Sequence, residues 1–151
     1  MLIVFQMKGE RYALDSRHVA EIVPLVRFRE IPRAPEYICG LFEYRGQVTP
    51  VVDLSALTGG NPSQRLLSTR ILLVHYPDSK QRVRTLGLLA ERVTDTVEIE
   101  DSSLKPSGIR VEQSPYLGKV ITDSAGMIQC IELQELLPAP VRDILFPPDE
   151  G

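Results

Sequence analysis

Twelve prolines and ten glycines are spread along this chain of 151 residues. Proline breaks a helix interior and glycine weakens one, so this punctuation argues against long helices. Between the breaks lie short apolar runs bounded by turn residues. Leu2–Met7 and residues 11–14 flank Lys8-Gly9-Glu10 and predict a hairpin. Residues 23–28 alternate loosely, and residues 40–44 and 47–54 flank Arg45-Gly46. Residues 71–76 and 84–90 flank a polar loop. Residues 92–99 alternate, and residues 119–122 and 127–133 flank Asp123-Ser124-Ala125-Gly126. About nine or ten strands at this spacing predict a mainly β chain of the barrel or sandwich class.

Helical signals are brief. Asp15-Ser16 can cap a turn carrying Val19 and Ile22, and Asp53 can cap residues 54–58 ahead of Gly59-Gly60. Residues 132–137 form another turn, stopped by Pro138 and Pro140. None is long enough to stand alone, so each must dock on strands.

The chain also repeats itself. His18-Val-Ala-Glu-Ile-Val through Pro32 aligns with Arg92-Val-Thr-Asp-Thr-Val through Pro106, setting Val19 on Val93, Glu21 on Asp95 and Val23 on Val97. Gly40 through Asp53-Leu54-Ser-Ala-Leu57 aligns with Gly118 through Glu132-Leu133-Gln-Glu-Leu136. One such unit alone has open sheet edges and little core. Two similar packed β-barrels, over residues 1–68 and 69–137 with a tail at 138–151, resolve both problems.

Apolar residues make up 43% and charged residues 25% of the chain, the balance of a globular protein with its own core. The longest apolar runs, such as residues 71–74, fall far short of the roughly 18 residues of a membrane span. The apolar start at residues 1–5 has no charged leader and no small-residue cleavage site, so no signal peptide is expected. The net charge of −3 provides no basic footprint for nucleic acid. Cys39 and Cys130 lie far apart, outside any CxxC, and fit free thiols in a reducing cytoplasm.

Catalytic and metal chemistry find no framework. His18 and His75 share no ligand spacing, and two His with two Cys from distant points do not make a zinc motif. Asp15, Ser16 and His18 are triad residue types without a nucleophile elbow. Gly59-Gly60-Asn61-Pro62 lacks the lysine of a phosphate loop. Val51-Val52-Asp53 followed later by Lys105-Pro106 has the look of a phospho-acceptor domain. The acidic pair after the first strand and the long amphipathic helices that such a domain needs are missing, so Asp53 is read as a helix cap. No catalytic residue, cofactor or metal site is expected.

The stretch from Ile31 to Leu54 is unusually punctuated. Pro32 and Pro35 stiffen an approach, Gly40 permits a bulge or a close backbone contact, and Arg45-Gly46 makes a hairpin tip. An arginine held on a rigid hairpin beside apolar residues suits a protein contact. Ile31, Pro35, Tyr37, Ile38, Gly40, Arg45, Gly46, Val48, Pro50, Val51, Val52, Asp53 and Leu54 together resemble the signature of the CheW-like domain of bacterial chemotaxis adaptors. Phe5, Gly9, Tyr12-Ala13-Leu14 and Glu21-Ile22-Val23 near the start look like the same family, as does Pro115-Tyr116-Leu117-Gly118 later on.

That resemblance implies a pair of packed five-stranded SH3-like β-barrels with a few short helices, and no catalysis. It implies a cytoplasmic adaptor in receptor arrays at the inner membrane. Its partners would be the cytoplasmic tip of a methyl-accepting chemoreceptor and the regulatory domain of a CheA-type histidine kinase. Glu21 and Arg45 match a charged pair that contributes to receptor binding, and Val19 and Val48 match apolar receptor contacts. The kinase would meet the second barrel, with Leu88, Leu89, Val120 and Ile121 as candidates. Nucleic acid and direct membrane insertion are not implied.

Cys39, Phe42-Glu43-Tyr44 and the amphipathic tail from Val141 depart from the family pattern. These departures fit an adaptor in an alternative array, of which the surface-sensing Wsp-type pathway ending in a diguanylate cyclase is one. The rival readings are a self-associating scaffold without a kinase and a kinase regulatory domain cut from a longer chain. Met1 running straight into a strand and the proline-rich finish favour a complete protein over the latter.

Overall fold

The computed structural model describes residues 1–148. Strands β1 (Leu2–Met7) and β2 (Glu10–Asp15) form the first hairpin. Both residues of its tip have positive φ, 53° at Lys8 and 76° at Gly9, the twist that matches flanking strands. Asp15 then accepts a hydrogen bond from the Arg17 amide at 2.9 Å and starts a 3-10 turn over Ser16–His18. The turn ends there, and Val19–Pro24 is strand β3 rather than the continued turn expected from the sequence. Val19, Ile22 and Val23 gain more by pairing with a neighbouring strand than a lone helical turn can offer.

Strands β4 (Ile38–Tyr44) and β5 (Gln47–Asp53) follow as the second hairpin. Asp53 caps helix α1 (Leu54–Leu57), accepting from the Ser55 and Ala56 amides at 3.1 and 3.4 Å. Asp53 also takes the Ser63 amide at 2.7 Å and the Ser63 hydroxyl at 2.6 Å, which fastens the linker behind the helix. Strand β6 (Arg70–Pro77) leads through an Asp78-centred loop into β7, which runs unbroken over Val83–Val97. The sequence suggests two strands here. A left-handed residue at Arg92, with φ 51°, bends the strand without ending it. Strands β8 (Leu117–Asp123) and β9 (Gly126–Ile131) form the last hairpin, and α2 (Ala139–Leu145) ends the described chain. The last three residues of the expected tail lie outside the described residues.

The strands form two five-stranded units that share β7. The first half of β7 pairs with β6 and β5, completing the order β3-β6-β7-β5-β4. Its second half pairs with β1, giving β7-β1-β2-β9-β8. Each unit is closed by an equivalent bridge. Arg29 and Leu41 exchange backbone hydrogen bonds of 2.8 and 2.9 Å in the first, and Lys105 and Val120 exchange bonds of 2.9 and 2.8 Å in the second.

The two units are thus alike in strand order, but the expected division at residue 68 is not the division of the strand pairing. The β1–β2 hairpin belongs to the unit containing β8 and β9, and the β6 hairpin to the unit containing β3, β4 and β5. The two repeats have exchanged their first hairpins. A repeat identifies which segments are alike; it does not say which copy each segment pairs with.

Three apolar clusters follow from this. Leu2, Val4, Ala13, Ile121 and Ile128 fill one unit, and Val51, Ile71, Leu73 and Leu89 fill the other. The largest cluster joins them, with Phe5, Leu14, Leu72, Tyr76, Leu88 and Phe146 all at or below 2% exposure. Each such side chain contributes about 1.5–3 kcal/mol by burial. The tail takes part: Tyr76 donates to the Gln134 carbonyl at 3.2 Å and accepts from the Leu137 amide at 2.9 Å, and Arg84 sits 5.1 Å over the Phe146 ring.

Candidate functional site

The β4–β5 hairpin ends in Arg45 and Gly46, at φ 50° and 79°. Two left-handed residues in succession give the tight turn whose twist suits the strands, and Gly46 supplies one of them at no steric cost. Arg45 is held outward, with its side chain 76% exposed. The guanidinium does not hang free. Arg45 Nη2 donates to Glu21 Oε1 at 3.0 Å, and the Tyr44 hydroxyl donates to the same oxygen at 2.7 Å. The Arg45 guanidinium also lies 5.4 Å from the centre of the Tyr44 ring.

One carboxylate on β3 thus clasps two consecutive residues of the neighbouring hairpin. The Tyr44 hydrogen bond first, and Arg45 second, hold the Glu21 carboxyl below the usual carboxylate range. The same bond pushes the Tyr44 phenol above its ordinary value. Such an exposed ion pair adds little to folding stability. Its effect is on orientation, because it fixes one rotamer of a long side chain before any partner arrives.

Behind the clasp runs a row of rings. Tyr44 meets Phe42 at 6.2 Å between centroids, Phe42 meets Phe28 at 6.4 Å edge to face, and the Arg65 guanidinium covers Phe28 at 5.4 Å. All three rings are half-buried against the first unit's apolar cluster. Tyr44 and Phe42 stand out in the sequence only as departures from a pattern. Neither Tyr44, which shares the Glu21 carboxylate, nor Phe42 behind it is among the expected site residues.

Of the expected receptor contacts, the structure brings Glu21 and Arg45 together directly. Val48 is 71% exposed on the same hairpin, opposite Glu43, and borders a groove of about 460 Å³ shared with Pro50, Arg84 and Phe146. Val19 sits on β3 two residues before Glu21 but is half-buried, packed on the central cluster.

The expected kinase contacts need correcting. Leu88 and Leu89 are 0% and 1% exposed, Leu88 in the central cluster and Leu89 in the first unit's interior. Ile121 is 8% exposed inside the second unit. None of these three offers a surface. Val120 is half-buried, with its backbone committed to Lys105.

Asp53, the phospho-acceptor look-alike, is 5% exposed and occupied with its cap and with Ser63. Cys39 and Cys130 are free thiols. Burial first, and the Asp53 charge second, push the Cys39 thiol up to about 12, far from a nucleophile at neutral pH. Among the described residues no group of three or more His, Cys, Asp or Glu is placed to hold a metal ion, and no helix is long and apolar enough to cross a membrane.

Residues 1–141 match the family model of the CheW-like domain. The chain belongs to the CheW-like domain family. A chemotaxis protein CheW of Bacillus subtilis is 24% identical over 138 residues, covering 90% of this chain and 85% of that protein. A chemotaxis protein CheW of Rhizobium meliloti is 27% identical over 145 residues, covering 94% of this chain and 90% of that one. Among solved structures, the scaffolding protein TtCheW from Thermoanaerobacter tengcongensis superposes with a TM-score of 0.76 at 27% identity. The superposition covers 91% of this chain and 86% of that one. The paired five-stranded units with few helical residues are therefore the CheW-like fold.

Proposed function

We propose that this chain is a non-catalytic adaptor of chemotaxis-like signalling. It couples the cytoplasmic tip of a methyl-accepting chemoreceptor to the regulatory domain of a CheA-type histidine kinase, acting in the cytoplasm beside the inner membrane. Membership of the CheW-like family and likeness over about nine-tenths of the chain to chemotaxis and scaffolding proteins support the reading. The observation that carries it is the clasp: Glu21 and Tyr44 hold Arg45 at an exposed hairpin tip, a rigid charged knob with Val48 beside it.

Receptor contact falls to Glu21, Arg45 and Val48, with Val19 supporting β3 from within. Kinase contact falls to the other unit, where Met127 is 61% exposed on β9 and Val120 is partly reachable on β8. An adaptor must hold two partners at once. Two units on one central core place two surfaces at a fixed distance, and a coupling of about 1–3 kcal/mol through that core suffices for several-fold to hundredfold regulation.

A pull-down from native lysate, with wild type and Arg45→Ala as paired baits, tests this. Wild type should recover a receptor and a histidine kinase, and the variant should lose the receptor at an unchanged melting temperature. Recovery of neither by folded wild type refutes the adaptor reading. Sedimentation of the pure protein separates it from the self-associating scaffold, since an adaptor stays monomeric at micromolar concentration.

A further inference from the structure

At the far end of the ring row from Arg45, the loop after β3 and the linker before β6 border an open cavity of about 610 Å³ lined by Arg27, Phe28, Glu30, Cys39 and Arg65. Arg65 is seated over the Phe28 ring, so its guanidinium is positioned before anything binds. Arg29 and Arg33 lie on the same loop, and all four arginines are exposed.

Among the described residues none of these four makes an ion pair. Six of the other nine arginines, Arg11, Arg17, Arg45, Arg82, Arg84 and Arg142, each have a carboxylate within 4.0 Å. Set against Glu30 and Glu36 on the same loop, these four guanidiniums still leave a local positive excess in a chain of net charge −3.

Arg29, bridged to Leu41, and Lys105, bridged to Val120, hold equivalent places, which makes Phe28 correspond to Leu104 and Arg27 to Ser103, two residues off the register of the sequence repeat. Phe28 and Leu104 do the same work, each packing into its own unit's cluster, whereas Arg27 has no basic counterpart. We propose that this cavity docks an acidic peptide segment of a partner protein, with Arg27 and Arg65 receiving its carboxylates.

Arginine suits the task because its planar fork grips a carboxylate with two parallel hydrogen bonds. The positive loop extends past the cavity through Arg29 and Arg33, which fits an extended segment better than one small anion. Glu30 in the lining repels a compact dianion such as phosphate, yet it can accept an N–H from a peptide backbone. A flat anionic membrane would meet the rim arginines and leave the cavity unfilled.

The site is separate from the Arg45 clasp, so the test isolates it. Fluorescence anisotropy with fluorescein-labelled hexaglutamate, at low salt, should show saturable binding. Arg27→Gln with Arg65→Gln should weaken it by roughly tenfold or more. Arg92→Gln with Arg110→Gln, which removes the same charge from exposed positions elsewhere, should keep wild-type affinity, and so should Arg45→Ala. Glu30→Gln leaves both arginines in place and should tighten binding.

Absence of saturable binding overturns the proposal. So does an equal loss in both double variants, or a loss on Glu30→Gln. Binding of inorganic phosphate that depends on the same two arginines and matches the peptide in affinity also overturns it, as does co-sedimentation with phosphatidylserine vesicles that the cavity variant abolishes.

Discussion

Replacing Gly40 by alanine should unfasten the first five-stranded unit. Gly40 has φ 142°, a conformation that side chains rarely adopt, and an added Cβ would lie 2.4 Å from the Arg29 carbonyl oxygen. That oxygen accepts the Leu41 amide in the bridge that closes the unit. Backbone strain costs about 1–3 kcal/mol, and the two bridge hydrogen bonds contribute about 1 kcal/mol each. A loss of about 3 kcal/mol or more follows, equivalent to roughly 6–12 °C in melting temperature for a chain of this size.

Gly46→Ala is the control. Its φ is 79°, but nothing lies within 4 Å of the added carbon, so only a conformational cost of about 1–2 kcal/mol applies. Thermal melts and urea titrations of both variants measure the difference. Equal destabilisation, or a Gly40 variant as stable as wild type, would refute the view that the Arg29–Leu41 bridge depends on the missing Cβ.

Two further outcomes follow from titratable groups. Arg11 and the Ala125 amide hold the Asp123 carboxyl at about 2, below its ordinary 3.8. A depressed folded-state value contributes stability that is present above 3.8 and lost as the pH falls through about 2. Asp123→Asn should therefore lower the urea midpoint near neutral pH, with the gap to wild type closing as the pH falls through that window; a gap that widens in acid would contradict the pairing. The Cys39 thiol, raised from 9.0 to about 12, carries roughly a thousandfold less thiolate than an ordinary one, and Cys130 is also raised. An aromatic disulfide reagent at mild alkaline pH should react slowly with native protein and rapidly after denaturation; a fast native phase assigned to Cys39 by mass spectrometry would exclude the burial described.

The hairpins were legible because their tips are spelled in residues that tolerate positive φ, such as Lys8-Gly9 and Arg45-Gly46. The Asp53 cap was legible because a carboxylate ahead of a short apolar turn has one local use. The exchange of hairpins was not, since nothing local in β2 names β9 as its neighbour. Leu88 and Leu89 were misread for a related reason. β7 is flanked by β5 and β6 and covered on both faces, Leu88 by the central cluster and Leu89 by the first unit's interior. A strand buried on both sides reads as a continuous apolar run and so imitates a sticky surface. Glu21 and Arg45 were found through family likeness. That Tyr44 shares their carboxylate depends on a ring placed by tertiary packing.

The exchanged hairpin also dictates an order of events during synthesis. β2 is made well before its neighbour β9, and Arg11 waits for Asp123, 112 residues downstream. At about 5–20 residues per second that delay is roughly 6–22 s. Leu2, Ile3 and Val4 gain their β7 neighbour sooner, but Arg11, Tyr12 and Ala13 stay without theirs until Ile128, Gln129 and Cys130 of β9 are made. β2 thus keeps an open sheet edge until β9 is made, and it is there that a chaperone would be needed.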